Sequence, residues 1–181
     1  AAVTSCRFEP AVGYGTALCR LDDPIARIEG HYVLGVTRFW QGEFAGAEHH
    51  LQRAIDAYDP RNSLEHRARF GQDPEAVCLC RLGYLRALQG RANDADRLMD
   101  RAAAQATLLD DFLTAWYVWH WKVALDRYLR RETAGRPPGG EPQGFFSTTD
   151  REGPLWARAE AGSPEAEAEL ESIAHSWRAP G

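Results

Sequence analysis

The chain has 181 residues, 44% of them hydrophobic and 26% charged, with a formal net charge of −5. Those values exclude wholesale disorder and a miniature fold that depends on disulfides. The negative balance argues against direct binding to nucleic acid or an anionic membrane, and no apolar run approaches the roughly 18 residues of a membrane span. Four cysteines at irregular spacing read as reduced thiols. The opening residues Ala1–Arg7 lack the apolar core of a secretory signal, so the expected compartment is the cytoplasm.

In chain order the sequence predicts helices over about 8–21, 24–41, 44–58, 74–89, 92–106, 110–131 and 164–177. Asp23-Pro24, Asp73-Pro74 and Ser163-Pro164 each set a capping residue before proline at the first helical position. Between the third and fourth of these helices, residues 59–73 form either a loop or a short extra helix near 63–70. No stretch alternates as a strand does, so the expected class is all-α. Beyond Arg131 the run Glu132-Thr-Ala-Gly-Arg-Pro-Pro-Gly-Gly-Glu-Pro-Gln-Gly144 has the composition of a flexible linker.

The middle of the chain repeats. Leu34-Gly35, Gly42, Ala47, Leu51 and Ala54 return as Leu82-Gly83, Gly90, Ala95, Met99 and Ala102, each displaced by 48 positions (Gly90 against Gly42). A small residue inside the first helix lets a second helix approach, and a glycine seven positions later ends the first helix in a left-handed turn. Ala47, Leu51 and Ala54 then share one stripe of the second helix. This order resembles the tetratricopeptide pattern of helix–turn–helix repeats.

A more specific likeness lies in Tyr58-Asp59-Pro60, Phe70-Gly71-Gln72-Asp73-Pro74 and Cys78-Leu79, after His31-Tyr-Val-Leu-Gly35 and Gly42-Glu-Phe-Ala45. Over about residues 20–131 the chain resembles the tetratricopeptide-like region that follows the ATPase module of bacterial signalling proteins. Those include ATPase-linked adenylate/guanylate cyclases and large transcriptional regulators similar to the maltose-regulon activator. The resemblance implies a regulatory or interaction role in bacterial signalling and carries no catalytic residues with it. No ATPase, cyclase or helix-turn-helix segment accompanies these repeats, and residues 132–181 do not continue them. The chain therefore reads as an excised domain or a shortened stand-alone relative.

Candidate chemistry is sparse. His49 and His50 point about 100° apart on a helix and need a third partner to hold an ion, while Cys78-x-Cys80 points to nearly opposite faces. Gly13-Tyr-Gly15 lacks the third glycine and the preceding strand of a dinucleotide fingerprint, and no phosphate loop is present. Asp22-Asp23 and Asp110-Asp111 precede helices, where capping is the expected use. No serine sits in a nucleophile elbow. The reading is therefore no catalytic residue, no metal and no cofactor.

Aromatic residues are the more suggestive set. Stacked repeats line a concave face with their first helices. On that stacking Tyr32, Val36, Phe39, Trp40, Tyr84 and Trp121 border one groove, with Arg38 and Arg81 at its rim. Ordinary packing between repeats is the competing account of the same residues.

The expectation is thus a solenoid of antiparallel helical hairpins over 1–131, a linker over 132–154, and a C-terminal helical segment over 155–181 that packs back as a cap. In that cap helix 164–177 covers Trp116–Trp121, aided by Phe145, Phe146 and Trp156. Its function is binding of a protein or peptide, or of a small effector, without catalysis, and a homodimer through the aromatic helix stays open. The alternative is a small all-α enzyme or small-molecule binder with a pocket at helix 112–128, which would require His120, Asp126 and Arg127 to converge.

Overall fold

The computed structural model describes residues 8–132, together with 163–165 and 168. The chain divides into two compact units, residues 1–135 and 136–181. In the first unit lie α1 (Phe8–Cys19), α2 (Pro24–Trp40), α3 (Phe44–Ala57), α4 (Ser63–Phe70), α5 (Pro74–Leu88), α6 (Ala92–Leu109) and α7 (Phe112–Tyr128), with a 3₁₀ turn at Pro60–Asn62. No strand occurs among the described residues. The fold is all-α.

Capping aspartates start three of these helices. Asp23 accepts from the amides of Ile25 and Ala26, Asp73 from Ala76, and Asp111 from both the amide and the hydroxyl of Thr114. Each satisfies donors that the first helical turn leaves open, a contribution of about 1 kcal/mol. At the other end, α2 and α5 close alike. Gly42 and Gly90 take left-handed backbone at φ 76° and 77°. The amides of Glu43 and Arg91 then return to the carbonyls of Arg38 and Arg86, at 2.9 and 2.8 Å. This closure satisfies orphan carbonyls and reverses the chain. At the end of α7 Arg130 takes the left-handed position, at φ 55°, and Arg131 returns to Asp126 at 2.8 Å.

Helix α2 packs on α3 and α5 on α6; α1 lies against α2, α3 against α5, and α7 against both α5 and α6. A Cβ placed on Gly35 would lie 2.8 Å from Leu51 Cγ, and one on Gly83 would lie 3.3 Å from the Ala95 carbonyl. The core gathers Leu51, Leu79, Leu82, Leu85, Met99 and Leu125, all buried. Helix α5 sits among four neighbours and is buried on almost every side. Leu98 is only partly buried beside it.

Several helix ends depart from expectation, among them those of α1 at Cys19 and α7 at Tyr128. Helix α6 runs on to Leu109 because Asp110 turns left-handed (φ 46°) only there, and α7 begins after the Asp111 cap. Residues 63–70 are helical, not a loop. This insertion is held by buried polar groups. The Tyr58 and Ser63 hydroxyls donate to Asp73 at 2.5 and 3.1 Å, and Gln105 donates to Tyr58 at 3.1 Å. His66 Nδ1 lies 3.2 Å from Glu29 Oε1, both side chains sealed from solvent. The "Asp-Pro … Gly-Gln-Asp-Pro" signature is therefore architectural here: Asp59 caps the 3₁₀ turn, Gly71 ends α4 and Asp73 starts α5. The expected linker and the fold-back of helix 164–177, with Phe145, Phe146 and Trp156, lie outside the described residues.

Candidate functional site

The first helices of both hairpins and α7 bring their aromatic residues together around one cation. Arg81 sits a turn before Tyr84 on α5, and its guanidinium lies 4.1 Å from the Trp121 ring centre, 5.2 Å from Trp40, 5.7 Å from Phe39 and 6.0 Å from Tyr117. Its Nε donates to the Tyr117 hydroxyl at 2.9 Å. Tyr84 extends the set, with ring centres 5.4 Å from Trp121, 5.8 Å from Tyr128 and 6.3 Å from Phe39. Aromatic faces carry negative quadrupole density, so a cation among four of them is favoured.

Of the predicted groove residues, Phe39, Trp40, Tyr84 and Trp121 meet here, at different depths, while Tyr32 and Val36 belong to the adjoining core. Val36, Phe39 and Trp121 are buried, Tyr32 and Tyr84 half-buried, and Trp40 is 53% exposed. Phe44 and Tyr128, which the sequence reading omitted, add further exposed rings at 37% and 46%. Arg81 was expected at the rim and instead occupies the centre, because Trp121 and Trp40 flank it. Arg38 does stay outside, tied to Glu43 at 2.7 Å. The signal for Arg81 was its stripe position, three residues before Tyr84. Nothing in the sequence announced that α7 would lay Tyr117 and Trp121 on that stripe.

Electrostatics separates Arg81 from its neighbours. Arg38, Arg86, Arg101 and Arg131 pair with Glu43, Glu48, Glu75 and Asp96 respectively. Arg81 has no carboxylate partner among the described residues, and its Nη1 is sealed from solvent with no hydrogen-bond partner. Burial raises the Tyr117 and Tyr84 phenols above their ordinary range and lowers His120, which Arg81 lowers further. At neutral pH the guanidinium is thus the charge of this surface.

Other titratable sites have structural partners. Lys122 donates to Asp126 at 3.0 Å on α7 itself, and His120 turns its ring to Trp121. Positions 120 and 126 lie about 120° apart around the helix axis. His50 finds a partner in His31: their Nδ1 atoms are 3.0 Å apart and their ring centres 5.3 Å apart. The rings meet head-on, as in an N–H···N hydrogen bond, whereas a shared ion would draw the ring centres closer at that separation. Among the described residues no three His, Cys, Asp or Glu side chains gather to hold a metal. Cys78 and Cys80 are buried and their thiols are pushed up in pKa, which leaves them as unreactive core residues. Comparison with family models, with curated proteins and with solved structures found no match.

Proposed function

We propose that the chain is a non-catalytic helical-repeat module, similar to tetratricopeptide arrays, that binds a protein or peptide in bacterial signalling or transcriptional regulation. Two hairpins with the same glycine closure and the same small-residue approach support the repeat reading. The observation that carries the binding role is the exposed aromatic set Trp40, Phe44 and Tyr128, contributed by three separate helices and joined to the Arg81 cluster directly by Trp40 and through Phe39 and Tyr84 by the other two. Aromatic side chains clustered on a rigid scaffold give large contact area at small entropic cost, which suits a partner surface.

The reading is tested by selecting peptides from a random display library against the full chain. Trp40→Ala should weaken the selected peptides by roughly 30-fold, the size of an aromatic anchor. Tyr14→Ala, at an exposed ring on α1, should leave them unchanged. Equal losses at both positions would overturn the assignment.

A further inference from the structure

We infer that the partner segment presents an aspartate or glutamate side chain between apolar residues, and that Arg81 receives this carboxylate inside the aromatic box. The inference rests on the binding-module reading and adds the chemistry of the occupant. A half-buried guanidinium with no counter-anion is costly unless something completes its hydrogen bonds. Arg81 uses one N–H on Tyr117 and, among the described residues, has none of the carboxylate partners that hold Arg38 and Arg86. With its Nε on Tyr117 and its Nη1 sealed, the guanidinium meets a carboxylate at the remaining Nη2, in a charge-assisted hydrogen bond.

Charge and shape choose among anions. Arg81 offers a single positive charge; Arg38 and Arg86 are tied to Glu43 and Glu48, and Arg127, which acts on the Tyr84 phenol, has interactions of its own. A carboxylate fits that single charge; a doubly charged phosphate calls for a cluster of free cations. Rings border Arg81 from α2 (Phe39 and Trp40) and from α7 (Tyr117 and Trp121). A ligand that reaches the guanidinium thus meets aromatic surface on both sides, which an internal acidic residue with apolar neighbours satisfies. A chain-terminal carboxylate has a neighbour on one side only.

The test uses random dodecapeptides displayed on phage and selected against the full chain. The recovered peptides should carry Asp or Glu flanked by apolar residues. A synthetic peptide of that kind should bind roughly tenfold more tightly than its Asp→Asn or Glu→Gln twin. The difference should shrink in high salt and vanish in Arg81→Gln, checked for folding by its thermal melt. If Arg81→Gln does not fold, the twin peptides against the unaltered chain decide alone. Peptides recovered without acidic bias, or twins that bind equally, would overturn the carboxylate while leaving the module reading intact. Failure to recover any peptide whose binding depends on Trp40 would overturn both.

Discussion

The two hairpins share a backbone plan and differ in what fills it. Displaced by 48 positions, Glu29, the His31/His50 pair and Thr37 of α2–α3 correspond to Val77, Leu79/Leu98 and Leu85 of α5–α6. The first hairpin therefore builds polar contacts at places where the second builds apolar ones. Its Gly35 approach is also the tighter, 2.8 Å against 3.3 Å. Position explains the difference. Helix α5 is enclosed by α2, α3, α6 and α7, while α2 packs mainly on α1 and α3, touches α5 less, and meets the α4 insertion through His66 and Glu29. A repeat unit keeps the spacing that lets two helices close, and its neighbours then decide which side chains are admissible.

The largest effect should come from removing one partner of the buried pair. His66→Ala leaves Glu29 buried without its histidine, a loss of about 3–5 kcal/mol by denaturant unfolding. A change below 1 kcal/mol would mean that the insertion does not hold α2. Leu82→Ala, in the apolar hairpin, should cost about 2–5 kcal/mol through lost burial and a residual cavity. An unshifted melting midpoint would break the assignment of Leu82 to the shared core.

The glycines sharpen the comparison. Gly35→Ala forces Leu51 aside and should cost about 1–2 kcal/mol, after a gain of up to about 1 kcal/mol in helix propensity. Gly83→Ala sets a Cβ 3.3 Å from the Ala95 carbonyl oxygen, which must give slightly, and the gain in helix propensity offsets that cost, so stability should change by about 0.5 kcal/mol at most. Equal effects at the two positions would contradict the difference in approach.

The smallest expected effect is a dependence on pH. Burial, followed by the neighbouring His31, His49 and Arg38, depresses His50 to about 4, and burial with Arg53 and His49 depresses His31. Below the unfolded histidine value, near 6.5, the unfolded chain takes up protons that the folded pair resists. The contribution of the pair is thus full above about pH 6.5 and is lost as pH falls through about 4. Replacing both by the leucines of the second hairpin, His31→Leu with His50→Leu, should flatten the stability curve between those values. A curve as steep as that of the unaltered chain would assign the acid sensitivity elsewhere.

Helix content was legible because its signals are local. Asp23-Pro24, Asp73-Pro74, and the glycines 42 and 90 act through backbone geometry within one turn, and each works at its expected place. The alternation of small and large residues in the repeat likewise announced which helices would close on each other. Residues 63–70 stood ambiguous between loop and helix, since distant contacts, with Asp73, Glu29, Asp23 and Asp111 among them, stabilise so short an element. Arg81 was legible as a residue at the rim of an aromatic groove, but its place at the centre of four rings was not. Its stripe on α5 fixes a direction, but Trp40 and Trp121 are 41 and 40 residues away in sequence, and only the packing of α2 and α7 against α5 brings those rings to one guanidinium. Where helices start, stop and approach follows from neighbouring residues alone, because those are short-range matters of caps, glycines and periodicity. Tertiary structure decided which polar groups meet and which charge goes unpaired, because those depend on contacts between distant segments that no local pattern encodes.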